Sequence, residues 1–259
     1  MDVRTQQLTR YILPMREGGS LPVLGEADDG FKYVVKLRGA GHGKKALIAE
    51  FLGSMIARAF KFNVPETVLL NLPGVFGITE PDQEVQELMR NSEGLNVGLH
   101  YLAGAATFDP AVNSVDSLTA SKIVWLDAFL TNVDRTRLNP NMMIWQKDLW
   151  LIDNGASFYF HHSWRDPQKA ALDPFPYISN HVFLPYADRL EEADRLMRQA
   201  ITPRTLSKIV SLIPREWLEE ESSGISPDER RQAYETFLHD RLKNSQTFVN
   251  EAIRQQKLL

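Results

Sequence analysis

Three short runs near the start of the chain, TRYILPM, SLPVL and FKYVVKL, are rich in β-formers and separated by the turn-like segments REGGS and GEADDG. They predict a meander of three antiparallel strands. Over residues 44–62 the period changes. Leu47, Phe51, Met55 and Ala59 fall four apart on one face, which predicts a helix that ends before Pro65. VPETVLLNL and GVFGIT read as further strands, residues 80–94 as a polar, exposed connection, and LNVGLHYL as another strand. LAGAATFDPAVN, residues 102–113, reads as a loop between two parts of the chain.

Helical patterns dominate beyond it. SLTASKIVWLDAFLTN is apolar nearly all round, as a buried helix is. Residues 142–145 and 149–152 predict a hairpin, and the proline-, histidine- and aromatic-rich residues 158–185 an irregular stretch. Residues 187–199 and 203–212 read as helices. A long last helix is announced by Ser226-Pro227-Asp228-Glu229, an N-cap serine with a first-turn proline and a capping-box glutamate.

Composition narrows the classes. At 259 residues, with 43% hydrophobic and 24% charged positions, the chain can bury one good core or two joined ones. Without cysteine there are no disulfides, iron–sulfur clusters or thiolate zinc sites. The formal charge of −4 gives no general reason to expect nucleic-acid or anionic-membrane binding. No apolar run approaches the ~18 residues of a membrane span, and MDVRTQQLTR lacks the apolar core of a signal peptide. A cytoplasmic protein is expected.

The candidate chemistry is densest in NVDRTRLNPNMMIWQKDLWLIDNG, residues 132–155. With the hairpin turn centred on Lys147, Asn141 lies across from Asp153, with Asn139 just before it. Paired strands are about 4.8 Å apart, so amide oxygens and a carboxylate converge at the open end. Hard divalent cations prefer such oxygen ligands. Asp134 reaches the same mouth from the preceding loop. Each piece alone is ordinary, since Asp and Asn favour strand ends and turns for local hydrogen-bonding reasons.

The first half offers an independent set. Alternation in FKYVVKL puts Lys36 on the same face as Val34, so the lysine could bind phosphate oxygens while Val34 lines an apolar slot. Glu50, on the predicted helix, is placed to hold Lys36 as an ion pair, with Glu66 a weaker rival. Gly18, Gly19 and Ser20 offer bare main-chain N–H groups of the kind that cover phosphates. His161-His162 is set aside as a metal pair because adjacent side chains diverge. GAGHGKK resembles part of a phosphate loop but lacks its full pattern, and is read as a lysine-rich helix start.

The order of glycine loop, strand lysine, helix glutamate, D-x-x-x-x-N loop and metal aspartate resembles that of protein-kinase-like phosphotransferases. Asn132-Val133-Asp134-Arg135 with Ile152-Asp153-Asn154-Gly155 is similar to the HipA and phosphatidylinositol 3/4-kinase branch. YVVKLRGAGHGKKALIAEFLGSMIARAF, LDAFLTNVDRTRLNPNMMIW and LWLIDNGASFYFHH resemble the short HipA-like kinases, without the long N-terminal region of full-length HipA toxins. The resemblance covers roughly residues 15–165.

It implies an α+β, bilobal protein-kinase-like fold. Residues 1–102 would form a β-rich N-lobe with one main helix, and residues 103–259 a mostly helical C-lobe containing a catalytic β-hairpin. Asp134 would orient or deprotonate the acceptor hydroxyl. Asn139 or Asn141, with Asp153, would hold Mg2+ against the phosphates of ATP. Lys36, positioned by Glu50, would contact the α- and β-phosphates. Leu102, Ala103 and Gly104 would meet adenine, and Arg135 would steady the loop or neutralise phosphate charge. The expected activity is ATP-dependent phosphorylation of Ser or Thr on a protein, with a toxin–antitoxin-type partner conceivable and no direct nucleic-acid or membrane contact. Phosphatidylinositol or small-molecule kinases and an ATP-binding pseudokinase are the alternatives.

Overall fold

The structure, a computed structural model, describes residues 2–15, 21–78, 80–164, 166–220 and 224–259. Gly18, Gly19 and Ser20 lie outside the described residues.

The meander forms and goes further than expected. Strand β1 (Thr5–Pro14) pairs antiparallel with β2 (Val23–Ala27), and β2 with β3 (Lys32–Lys36). Two later strands, β4 (Thr67–Leu72) and β5 (Gly94–His100), complete a closed barrel in the order β1-β2-β3-β5-β4. Closure is made by a parallel pairing of β1 with β4. Inward residues Leu8, Val23, Tyr33, Val35, Val68 and Leu70 fill its core, as alternation along each strand requires.

Helix α1 (Lys44–Ala59) follows β3 and is buried from Leu47 to Ala57, including the carboxylate of Glu50. GVFGIT is not a strand over its described part. Residues 74–78 are turns, with the Phe76 N–H on the Pro73 carbonyl at 2.8 Å and Gly77 at φ 74°. Phe76 folds under to join the barrel core. The expected exposed connection holds helix α2 (Gln83–Arg90), capped by Asp82 and anchored by buried Val85 and Met89. Two apolar residues four apart were too faint a period to read.

The long helix α3 (Ser117–Leu130) is buried, as its all-round apolar pattern requires. Short strand β6 (Ala106–Thr107), in the expected loop, joins the hairpin of β7 (Met142–Trp145) and β8 (Asp148–Leu151). The hairpin register differs by one from expectation. Trp145 pairs with Asp148 across a two-residue turn at Gln146 and Lys147, both at positive φ (51° and 73°). Such turns usually carry Asn or Gly, so Gln-Lys did not announce one. Asn141 therefore faces Ile152, whose N–H meets its carbonyl at 3.0 Å, and not Asp153.

Among the described residues, 158–186 hold three 3-10 turns, Tyr159–His162, Pro176–Asn180 and Leu184–Tyr186, and the short helix α4 (Pro167–Ala171). Helices α5 (Leu190–Ala200), α6 (Pro203–Ser211), α7 (Arg215–Leu218), α8 (Pro227–Lys243) and α9 (Gln246–Gln256) follow. The expected single last helix is thus two, broken at Asn244 and Ser245. Within α8, fully buried Arg241 donates to the carbonyls of Ala128 (2.6 and 3.0 Å) and Phe129 (3.1 Å), satisfying the C-terminal end of α3. Among the described residues no helix is long and apolar enough to cross a membrane.

Candidate active site

A cleft of about 590 Å3 lies between the barrel and the hairpin, a volume usual for small-ligand sites. Lys36 enters it from the end of β3. Its Nζ lies 2.8 Å from Oδ2 of Asp153 and 3.7 Å from Oε2 of Glu50. Burial works against the Lys36 charge, but Asp153 and then Glu50 outweigh it and hold the ammonium above its ordinary value. For Asp153, burial is likewise outweighed by Lys36, and the carboxyl stays below the usual range. Glu50 is pushed up by its complete burial, which Lys36 offsets only in part. Glu66 is not in this group: it pairs with Arg4 at 3.0 Å.

The other carboxylate, Asp134, sits in a loop whose shape comes from buried polar groups. Asp127, the one carboxylate of α3, is wholly buried among apolar residues. It accepts from Arg135 Nε (2.6 Å), His181 Nε2 (2.9 Å) and Asn132 Nδ2 (3.0 Å). The N–H of Phe183 donates to His181 Nδ1 at 3.0 Å, so the ring proton is on Nε2 and the imidazole is neutral. Burial lowers its pKa further than Asp127 raises it. Asn132 then turns its Oδ1 to the N–H of Asp134 at 3.1 Å. Arg135 also donates to the carbonyls of Ile152 (3.1 Å) and Asn141, and to Oδ1 of Asn154 (3.3 Å). It is 1% exposed and does not line the cleft. Of the two roles expected for it, the geometry fits steadying the loop. Its donors are taken by Asp127, the Asn154 side chain and main-chain carbonyls, while its charge acts on Asp134 and Asp153.

Asp134 itself lines the cleft, with Asn139 Nδ2 at 2.8 Å and Asn141 Nδ2 at 3.2 Å from its Oδ2. Burial raises its pKa, the nearby charge of Asp153 adds to this, and the two amides oppose it. Asn139 and Asn141 thus converge on one carboxylate although the register differs from the one that suggested it. Asp153, at φ 53°, turns the chain so that the Asn154 N–H meets Glu50 Oε2 at 3.1 Å. Asn154 Nδ2 also donates to Ser54 Oγ (3.2 Å), and that hydroxyl donates to Glu50 Oε1 (3.1 Å). The Asp-x-Gly turn is therefore locked to α1.

That contact requires Gly53. A Cβ there would lie 2.4 Å from the Cβ of Asn154. Gly53→Ala is expected to lower stability by about 1–3 kcal/mol, the usual penalty of overpacking, despite alanine's better helix propensity. Chemical denaturation measures it; a stabilised variant would contradict the close docking.

The apolar end of the cleft is lined by Val34, Leu99, Leu102, Met142 and Ile152. Ala103 and Gly104 do not line it. The turn after β5 carries them outward, and the Ala103 carbonyl accepts from Trp145 Nε1 at 3.0 Å. Sequence reasoning missed Gly53, Ser54, Asp127, Asn154 and His181. A lone carboxylate in an apolar helix was the available signal for Asp127.

Fold and site together define a kinase-like protein. The chain aligns with the crystal structure of a Helicobacter pylori proinflammatory kinase, CtkA, at TM-score 0.55 and 12% identity, covering 98% of this chain and 99% of that one. It aligns with a Golgi casein kinase solved with Mn and ADP bound at TM-score 0.51 and 12% identity, covering 96% of this chain and 74% of that one. No curated protein matches it in sequence. The family model described as HipA-like kinase matches residues 8–249, and the chain belongs to that family.

Proposed function

We propose that the protein transfers the γ-phosphoryl group of Mg-ATP to a serine or threonine hydroxyl of another protein. The observation that carries this reading is the convergence of Lys36, Asp134, Asn139 and Asp153 on one cleft that has an apolar end. Residues 1–102 form the lobe that takes adenine and phosphates, and residues 103–259 the lobe that supplies the catalytic loop. Adenine lies against Val34, Leu99 and Leu102, which puts the phosphates toward Lys36.

The donor set fits a magnesium ion. Asp134 and Asp153 face one cleft and repel, and Asn139 and Asn141 beside Asp134 add amide oxygens of the kind a hard cation prefers. Asp153 and Asn139 would hold the ion. Asn139 is exposed and free to turn its Oδ1, whereas Asn141 is buried and also directs Nδ2 to the Asp134 carbonyl at 3.5 Å. When bound, the ion neutralises charge spreading over the phosphoryl oxygens. Lys36 binds α- and β-phosphate oxygens, and Glu50 fixes where it stands. Asp134 accepts the hydroxyl proton, a task that its raised pKa favours over an ordinary exposed carboxylate.

Asn139→Ala should raise the Mg2+ concentration needed for half-maximal rate at least about tenfold, in line with losses at metal-site partners. Asn141→Ala should instead lower the maximal rate at saturating Mg2+. Metal titrations of the two variants check this, and the opposite pattern would exchange the roles.

Absence of cysteine suits a cytoplasmic enzyme, and a regulatory partner of toxin–antitoxin type is compatible with the family. The test is mass spectrometry of a cell lysate incubated with enzyme and ATP-γ-S. Thiophosphoserine or thiophosphothreonine on specific proteins is expected. Labelling of phosphoinositide vesicles with no protein label would overturn the protein acceptor.

A further inference from the structure

Lys36 and Glu50 are gripped from far along the chain. Strand β3 ends at Lys36, and two residues later Arg38 turns its guanidinium to the Glu93 carbonyl (3.0 Å) and to Oε2 of Glu216 (3.4 Å). The Arg38 N–H donates to Oδ1 of Asn96 at 2.8 Å, which continues the pairing of Lys36 with Val97 in β5. Glu216 lies 178 residues from Arg38, in the short helix α7.

The next residue of α7, Trp217, reaches the other partner. It is 2% exposed, and its ring meets that of Phe51 edge-on, with centroids 5.9 Å apart. Phe51 follows Glu50 in α1. A buried indole N–H needs an acceptor, and Trp217 Nε1 finds the Leu95 carbonyl of β5 at 3.1 Å. Leu95 stands two residues before Val97, the register partner of Lys36. Two adjacent side chains thus hold residues that flank both members of the ion pair, and the strand beside them.

The direct link from β3 to α1 fixes little. It contains Gly39, Gly41 and Gly43, the last two at positive φ (51° and 62°), and glycine has the widest conformational freedom. Asn154 and Ser54 hold the carboxylate of Glu50, but not the spacing between its helix and the strand of Lys36. α7 is itself anchored, because Arg231 of α8 donates to the carbonyls of Val210 (2.8 Å) and Ile213 (2.9 Å), just before it. Through Arg241 the same helix holds the end of α3, from which the loop of Asp134 departs. One helix therefore refers both sides of the cleft to a common frame.

We infer that Glu216 and Trp217 are positioning residues for nucleotide phosphates: α7 sets the spacing of β3 and α1, and with it the place of Lys36 in the cleft. The inference rests on the kinase reading, which puts phosphates at Lys36.

Calorimetric titration of Mg-ADP, and separately of adenosine, into the full chain tests it. Trp217→Phe keeps an aromatic ring against Phe51 and removes the bond to Leu95. It should weaken Mg-ADP at least about fivefold, the scale of one lost hydrogen bond. Adenosine, which has no phosphate, should lose less than about twofold, as for independent sites. In a Glu50→Gln background the same substitution should cost Mg-ADP less than about twofold, because the partner through which it acts is gone. Glu216→Gln, on a side chain partly open to solvent, should weaken Mg-ADP alone, by about two- to threefold. Thermal melts check folding, and Glu216→Gln decides alone if Trp217→Phe does not fold. Equal losses for the two ligands, or a full effect of Trp217→Phe beside Glu50→Gln, would overturn the positioning role. Unchanged Mg-ADP affinity in a folded variant would remove that residue from it. Wild type that binds Mg-ADP no more tightly than adenosine, or not at all, would instead overturn the kinase reading.

Discussion

Asp153→Asn is expected to reduce phosphoryl transfer by at least about 10²–10³-fold, the scale of losing one preorganised electrostatic contact. The substitution keeps the shape of the side chain, and asparagine tolerates the left-handed backbone that Asp153 adopts at φ 53°. Alanine would add backbone strain to the loss of charge and confuse the two. Lys36 retains Glu50 at 3.7 Å, so its ammonium keeps a counter-ion. The melting temperature should therefore change little while turnover collapses. Radiolabel transfer from γ-labelled ATP, beside a thermal melt, checks both halves. Turnover within a few-fold of wild type would remove Asp153 from the mechanism.

Asp127→Ala has the largest expected effect on stability, a loss of about 3–5 kcal/mol, the usual cost of removing one member of a buried pair. Arg135 would be left buried and charged, with His181 and Asn132 each short of an acceptor. Activity should fall with it, because Asn132 and Arg135 shape the loop that presents Asp134. Burial disfavours the Asp127 charge, but Arg135 and His181 more than offset this, and its pKa is lowered in the folded state. The unfolded chain thus binds the proton more readily. The stabilisation is full above the ordinary carboxyl pKa, near 4, and is lost as pH falls through the lower folded value. Denaturant unfolding at pH 7 and pH 3 measures it: the wild type should approach the variant at the lower pH. A variant within about 0.5 kcal/mol of wild type at pH 7, the range of a neutral surface change, would contradict the assignment.

Local patterns carried the parts of the site that are local. FKYVVKL places a lysine at a strand end, and the helix after it brings Glu50 into reach within fourteen residues. Asp134, Asn139, Asn141 and Asp153 are close in sequence, so even a hairpin register wrong by one brought the same groups to one mouth. One partner of Asp127 could not be read in this way, since His181 is 54 residues distant and lies in an irregular stretch without period. Yet the demand for a partner was legible, because a carboxylate inside a helix apolar nearly all round must be paired. Gly53 is set by its contact with Asn154, about a hundred residues later, which no pattern within its own helix announces. The barrel closure between β1 and β4 is a parallel, long-range pairing that no turn signal announces.

The central claim is that one cleft binds ATP through a divalent ion held at Asp153, with the phosphates against Lys36. Calorimetric titration of ATP, with Mg2+ and with EDTA, tests this most directly when wild type and Asp153→Asn are compared. Wild type should bind ATP at least tenfold more tightly with Mg2+, and the variant should show little dependence on the metal. Equal, metal-independent affinity in the two proteins would contradict the account.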